Sequence, residues 1–362
     1  MRIPVLAALG CVLALIASAA AQPSAPLVDQ RAILAERAPE LLSTYNFFRD
    51  AGGRDANDGV IPYDLNTALY SDGALKFRYV YVPPGAQALY RDDGVFEFPV
   101  GAALIKTFAY AADMRSPAEN VRFLETRLLV RRETGWEARV YVWNEAQTEA
   151  RLTVIGAALP ASFINEGGEP TALDWTVPNR NQCKGCHDLD GDLTPVGPTA
   201  RNLNRTFAYA DYEDNQLARW ATSGLLADAP SNAETPRAAD AFDPASGSLA
   251  ERARTYLDVN CSNCHNPRGP AHTSGLDLRW NAAPASAWGV NKRPVAAGRG
   301  SAGMAFAIEP GHPERSFLLH RMASNDPGVM MPELGRQLAD ERALALMREW
   351  IAAMGPDGET PQ

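Results

Sequence analysis

Two short cysteine motifs constrain this chain more than any other feature of its sequence. Residues 183–187 read CKGCH and residues 261–265 read CSNCH, so the same spacing of two cysteines and a histidine occurs twice. In this arrangement each thiol can bond to one vinyl group of a porphyrin while the adjacent imidazole reaches the iron. The motifs therefore predict two covalently bound haem c groups. A disulfide or a zinc site is the plainer alternative, although zinc would need further pairs of ligands.

The N-terminal residues indicate export. Arg2 precedes an apolar run that ends in three alanines before Gln22, which is typical of a signal peptide covering residues 1–21. The run is too short to be interpreted as a membrane span. After its removal the four remaining cysteines all belong to the two motifs. We therefore expect a periplasmic protein with no integral membrane segment, in the compartment where bacteria attach haem covalently.

The charge of the chain bears on its partners. The formal net charge is −9, and no stretch of the sequence forms a basic stripe. Such a chain is a poor candidate for binding nucleic acid. Its acidic surface could instead pair with a basic patch on a redox partner protein. The plainer interpretation is that the excess of acidic residues keeps an exported protein soluble.

The sequence pattern predicts an α+β fold in which a β-rich domain precedes a helical one. An antiparallel β-rich domain is expected over residues 22–178, with a short helix over residues 29–37 near its start. Residues 179–247 would hold the first motif, a helix over residues 212–226 and a linker at residues 227–247. The runs expected as strands are residues 79–82, 95–98, 103–108, 123–130 and 136–143.

Residues 248–356 predict a separate helical domain that carries the second motif, followed by a tail at residues 357–362. Ser248 and Glu251 form a capping-box pattern at the start of a helix that runs into Cys261. Asp340 can cap a second helix, whose apolar face carries Leu344, Met347, Trp350 and Ile351. Two such terminal helices can pack together beside the motif.

A set of short segments in the C-terminal third of the chain forms a recognisable pattern: residues 260–265, 274–279, 309–314, 316–319, 331–335 and 350–351. In these segments the C-terminal third resembles the class I c-type cytochrome domains attached to many exported bacterial oxidoreductases. The resemblance implies haem c, histidine–methionine ligation and electron transfer. A longer stretch, which takes in both motifs and residues 106–143, resembles a family of exported di-haem c-type cytochromes and implies no substrate.

The first motif follows a β-domain, and in this it is similar to the mono-haem β-sheet cytochromes related to cytochrome c-prime-beta. The phrase at residues 99–106, followed by a strand with tryptophan, carries this likeness. The likeness implies no ligand by itself. It makes an open iron position at the first haem conceivable.

The candidate iron ligands come from histidine and methionine. His187 and His265 would be the proximal ligands of the first and second haem. For the distal ligand of the second haem we choose Met331, because Pro332 holds its backbone extended. Met330 is the nearest rival, and Met347 and Met354 are expected to be packing residues. Cys183, Cys186, Cys261 and Cys264 would carry the haems.

The first haem has no obvious distal ligand, because residues 188–260 contain neither methionine nor histidine. A distant residue must supply it, or the iron is open to a small ligand. Lys106 is most simply an outward-facing strand residue, and Arg201 and Arg205 could pair with haem propionates. The distant donors considered are Met114, His272, Met304, His312, His320, a lysine or a tyrosine.

These features favour an exported di-haem cytochrome that transfers electrons between a partner oxidoreductase and the respiratory chain, with no catalytic residue of its own. The first alternative is a haem enzyme or sensor for peroxide or nitrogen oxides, in which an open first haem reacts and the second relays electrons. The second alternative is a binding module whose β-domain docks a partner or carbohydrate. The sequence identifies neither the electron donor nor the acceptor.

Overall fold

The computed structural model describes residues 27–295 and 297–360, and the signal peptide expected at residues 1–21 lies outside these ranges. The fold is mixed, with a large antiparallel sheet followed by a helical region. The helices are α1 Gln30–Leu34, α2 Arg180–His187, α3 Ala200–Leu203, α4 Gln216–Thr222, α5 Leu249–Asn260, α6 Phe317–Ala323 and α7 Glu341–Ala352. The strands are β1 Val60–Tyr63, β2 Leu75–Tyr81, β3 Ala88–Leu89, β4 Ala103–Ala111, β5 Val121–Arg132, β6 Gly135–Trp143, β7 Ala150–Thr153, β8 Ala157–Ile164, β9 Pro170–Val177, β10 Asp188–Leu189, β11 Asp192–Leu193, β12 Thr206–Ala208, β13 Glu213–Asn215 and β14 Leu226–Ala227.

The large sheet has six strands in the order β1-β2-β4-β5-β6-β7, and every neighbouring pair is antiparallel. The antiparallel sheet expected from the sequence is confirmed, and β9 ends one residue before Pro178. The run at residues 95–98 is the exception. It makes isolated bridges from Val95 to Thr199 and from Glu97 to Leu89 instead of a strand of this sheet.

The N-terminal segment covers one face of the sheet. Ile33, Tyr45 and Phe47 are buried there against Ile105 and Leu128. The helix expected over residues 29–37 is shorter, since α1 ends at Leu34. Asp29 is its N-cap, and its carboxylate accepts hydrogen bonds from the first turn of the helix.

Two apolar clusters cover the opposite face of the sheet. The first packs Leu217 and Trp220 of α4 against Leu104. The second packs Trp175 of the β8–β9 hairpin against Phe108, and it also contains Cys183. The helix expected over residues 212–226 starts later, because residues 213–215 pair with β12 and Asn215 then caps α4. The first cysteine motif therefore lies on this covered face.

The helical region is built around α5 and α7. Both capping patterns expected from the sequence are present: Ser248 and Glu251 cap each other, and Asp340 accepts a hydrogen bond of 3.0 Å from Ala343 N. Met347 and Trp350 of α7 are buried against Leu257 of α5, so the expectation that Met347 is a packing residue is confirmed. Within the described residues, no helix combines the length and apolarity needed to cross a membrane.

Specific hydrogen bonds join the helical region to the sheet region. Asp72 Oδ1 accepts hydrogen bonds of 2.7 Å from Gln337 N and 2.8 Å from Leu338 N. Asn260, the last residue of α5, accepts one of 2.6 Å from Tyr70 N. The segment expected as a linker is itself packed, because Thr67 Oγ1 bonds to the backbone of Ala239 and Ala241. The two regions are therefore held in one arrangement.

We predict that Asp72→Ala lowers the free energy of unfolding by about 2–3 kcal/mol, because two backbone N–H groups lose a charged acceptor. Asp72 also has a φ of 47°. Asn tolerates this left-handed conformation better than Ala and keeps the accepting oxygen. Asp72→Asn is thus the matched control and should cost less than about 1 kcal/mol in chemical denaturation. Equal losses for the two variants would contradict the assigned role.

Candidate haem-attachment site

The first motif lies on α2, directly after β9. Asn179 and Gln182 form a capping box that fixes the start of this helix. Helical spacing places Cys183, Cys186 and His187 on one side, because residues three and four apart share a helix face. The sequence thus presents two thiols and one imidazole together.

The second motif lies at the end of α5. Cys261 caps that helix, and His265 N donates a hydrogen bond of 3.0 Å to Cys261 O. The chain then turns back at Gly269, where a Cβ atom would lie 2.5 Å from Cys264 O. Only glycine allows this close approach without a shift of the backbone. The loop after the motif is therefore packed tightly against it.

Both motif histidines are held in the form that can bind a metal through Nε2. His187 Nδ1 lies 2.9 Å from the carbonyl oxygen of Thr194, which can only accept, so Nδ1 carries the proton. His265 Nδ1 lies 2.9 Å from Ser274 Oγ, whose own proton goes to Ala271 O at 2.7 Å. Ser274 therefore accepts from His265. In each ring the remaining nitrogen keeps its lone pair.

Burial keeps both imidazoles neutral. It lowers the pKa of His187 to about 4. The hydrogen bond to Thr194 opposes this shift, whereas the positive charges of Lys106 and Arg127 add to it. Burial also lowers the pKa of His265 to about 4, with a smaller effect from Arg321. Neutral imidazole is the form that binds iron, so both side chains are prepared for ligation at neutral pH.

The two motifs meet. Cys264 Sγ lies 3.6 Å from Gly185 O of the first motif, and the Cys186 thiol is a neighbour of the Cys264 thiol. Beside them, Arg268 Nε donates a hydrogen bond of 2.5 Å to Asp190. No local pattern in the sequence indicates this contact, because 73 residues separate the first motif from the second.

The thiol contact makes the cysteines unequal. The hydrogen bond from Cys264 lowers the pKa of Cys186 to about 7. Burial of the Cys186 thiol opposes this shift, whereas the positive charges of Arg127 and Lys106 add to it. The same contact raises the pKa of Cys264. Burial raises the pKa of Cys261 to about 12. Cys186 is therefore the most readily ionised of these three thiols, and all four motif cysteines are free.

The loop that carries Met331 is fixed beside the second motif. Arg336 is buried and donates from Nε and Nη2 to Met331 O at 3.1 and 2.9 Å. The Arg321 and Glu333 charges, on either side of Met331 in sequence, act on His265 and Cys264. Among the described contacts none joins the Met331 side chain to the motif, so its role as a distal ligand stays a prediction.

The distant donors considered for the first haem lie in different surroundings. Met114 is buried in the same apolar cluster as Cys183. His272 and His312 are exposed.

Arg201 and Arg205, which could pair with haem propionates, already pair with Asp258 and Asp64, so neither guanidinium is free of a carboxylate partner. In the described ranges no three His, Cys, Asp or Glu side chains converge as a metal-binding group.

Sequence reasoning missed the charged neighbours of the first motif. Lys106 does not face outward, since its face of the sheet is the one covered by α2 and the adjacent clusters. Glu125 is fully buried, ion-paired with Arg127 and hydrogen-bonded by Trp175 Nε1 at 2.8 Å. The one sequence feature that could have indicated their burial is that these charged residues lie among apolar residues in the predicted strands. Strand alternation alone did not show which face is covered.

We predict that mild oxidation cross-links Cys186 to Cys264 in haem-free protein that carries Cys183→Ala and Cys261→Ala, because these two thiols are neighbours. The protein would be produced from residue 22 onward in a compartment that attaches no haem. Non-reducing peptide mapping measures the cross-link. The control carries Cys186→Ala and Cys261→Ala and should give little Cys183–Cys264 product. Equal yields from both variants would contradict the contact between the motifs.

Comparison with known proteins gives no family. No family model, no curated protein and no solved structure matches this chain. The interpretation of the site therefore rests on its own residues: two cysteine–histidine motifs in contact, with both imidazoles neutral and oriented.

Proposed function

We propose that this protein is an exported di-haem c-type cytochrome that transfers electrons between a partner oxidoreductase and the respiratory chain. Cys183 and Cys186 would hold one haem, and Cys261 and Cys264 the other. His187 and His265 would be the proximal ligands. The iron of each haem supplies a one-electron couple when bound. The protein's part is to attach, orient and shield these groups.

The packing of the second motif against the first carries this proposal, with Cys264 Sγ 3.6 Å from Gly185 O and Cys186 as its neighbour. A sulfur bonded to a haem stays at the edge of that group, so attachment at neighbouring sulfurs favours two redox groups side by side. Such a pair can pass electrons within one molecule. The neutral, oriented imidazoles support the same reading, because a hydrogen bond at Nδ1 fixes the ring for ligation through Nε2.

The helical region supports a cytochrome c-like domain around the second motif. Its first helix delivers Cys261, and α7 packs against that helix, as the resemblance to class I cytochromes implies. Met331 would be the distal ligand of the second haem. Arg336 donates hydrogen bonds to Met322 O of α6, to Ser324 O and to Met331 O, and so joins the Met331 loop to the end of α6. A fixed loop keeps a thioether ligand in one position.

The partners would be redox proteins of the periplasm. The chain has a net charge of −9, to which haem propionates would add. Complementary charge steers the encounter of two proteins and orients them. A basic patch on the donor or acceptor is therefore the expected counterpart, and the chain itself supplies no catalytic residue in this proposal.

A second candidate function has one observation in its favour. Lys106 and Arg127 are the charged groups that act on His187, and such donors beside a haem can stabilise a bound small ligand. An open first haem would make the protein an enzyme or sensor for peroxide or nitrogen oxides, with the second haem as relay. Closure of that iron by Met114 or another residue would favour the carrier.

The experiment for the proposed function is the intact mass of the exported protein together with its reduced absorption spectrum before and after carbon monoxide. We expect the mass of two haems, one of which is lost when either pair of motif cysteines is replaced by alanine. A carrier with both irons closed shows no change with carbon monoxide. A change of about half the Soret band favours the second candidate. A protein that attaches no haem would contradict both.

We predict that Met331→Ala leaves both haems attached but abolishes the weak long-wavelength absorption of methionine-ligated ferric haem. The midpoint potential of the second haem should fall, because loss of the neutral thioether ligand disfavours the reduced iron. Met330→Ala, at the neighbouring buried residue, is the matched control and should keep the band. Persistence of the band in Met331→Ala would move the ligand to another residue.

A further inference from the structure

Three cationic side chains form a row on the sheet face that the first motif covers. Arg78 on β2 lies directly opposite Lys106 on β4, and Lys106 lies directly opposite Arg127 on β5. Directly opposed residues on neighbouring strands have Cβ atoms about 4.5–5.5 Å apart, and like charges in such positions destabilise a sheet. The row therefore needs negative charge nearby.

The carboxylates of the protein compensate this row only in part. Arg127 is paired in two hydrogen bonds with Glu125, and Arg78 Nη1 lies 2.8 Å from Asp64. The Arg78 side chain is only 5% exposed, yet its Nη2 is buried without a hydrogen-bond partner. Lys106 has no ion pair or hydrogen bond among the described contacts, and its ammonium lies 4.8 Å from the centre of the Phe108 ring.

The uncompensated charge lies next to the first motif. The positive charges of Lys106 and Arg127 act on both Cys186 and His187. Burial first, and then Arg78 and the other cationic neighbours, lower the pKa of Lys106 well below its ordinary value, so the row disfavours the charged form of this lysine unless an anion lies beside it. An anion at this position would relieve the repulsion along the row and give Arg78 Nη2 an acceptor.

We propose that Arg78, Lys106 and Arg127 form a binding site for a carboxylate or a small oxyanion beside the first motif. The inference rests on the proposed function in so far as the neighbouring redox group is a haem. Two sources share this chemistry: a free oxyanion from solution and a propionate of the first haem. The thioether and propionate edges of a haem are opposite one another, and the row lies near Cys186, which favours the free oxyanion.

The test uses the exported wild-type protein and Lys106→Gln, each first shown by intact mass to carry two haems. Sodium nitrate, compared with sodium chloride at equal ionic strength, should shift the midpoint potential of the first haem downward in wild type, because a bound anion stabilises the ferric state. The shift should be lost in Lys106→Gln. Arg122→Gln, which removes one exposed positive charge from the same sheet, is the control and should keep the shift.

The resonance Raman propionate band separates the two sources. If a propionate occupies the row, nitrate has no specific effect and the band shifts in Lys106→Gln but not in Arg122→Gln. Arg78→Lys keeps a cation for Asp64 but removes the unpaired nitrogen. It should therefore show the same change as Lys106→Gln, either the loss of the nitrate-induced potential shift or the shift of the propionate band. Lys106→Arg keeps the positive charge and should behave as wild type in both measurements.

Two results would overturn the site. In the first, nitrate acts no differently from chloride and the propionate band is the same in wild type and all variants. In the second, Lys106→Gln keeps both haems and an unchanged propionate band, but its first iron changes from low spin to high spin. That result would make Lys106 an iron ligand. Absence of haem in wild type would instead refute the proposed function, so the two failures are distinguishable.

Discussion

The packing of the second cysteine motif against the first, with Cys264 Sγ 3.6 Å from Gly185 O, is the arrangement on which the proposed function depends. Three separate parts of the chain produce this arrangement. The first motif lies on α2, directly after β9, and the second lies at the end of α5. Asp72 of the sheet region accepts hydrogen bonds from Gln337 N and Leu338 N of the helical region. The Arg268–Asp190 ion pair closes the junction at its exposed side. The sheet region therefore helps to hold the two motifs together.

The two motifs share a design but differ in electrostatic surroundings. Both imidazoles donate from Nδ1 to an oxygen and are kept neutral by burial. The first faces Lys106 and Arg127, whereas the second faces Arg321, which lies 3.8 Å from Glu333. Positive charge beside an iron disfavours its oxidised state. In the proposed function, these residues outside the motifs would therefore give the two haems different potentials.

The sequence predicted what depends on local pattern. The two motifs, four of the five expected strands and the caps at Ser248 and Asp340 all follow from spacing and residue type. Long-range packing decided the rest. The cation row requires the register of β2, β4 and β5, and the packing of residues 227–247 requires Thr67, about 170 residues away. Neither leaves a periodic trace in the sequence.

The most direct test of the account is the electron paramagnetic resonance spectrum of the fully oxidised protein. It should be compared with the sum of spectra from two single-haem variants, one lacking Cys183 and Cys186 and the other lacking Cys261 and Cys264. Two haems attached at neighbouring sulfurs should interact magnetically, so the account predicts a spectrum that differs from this sum. A spectrum equal to the sum would contradict the central claim that the two motifs bring two haems together.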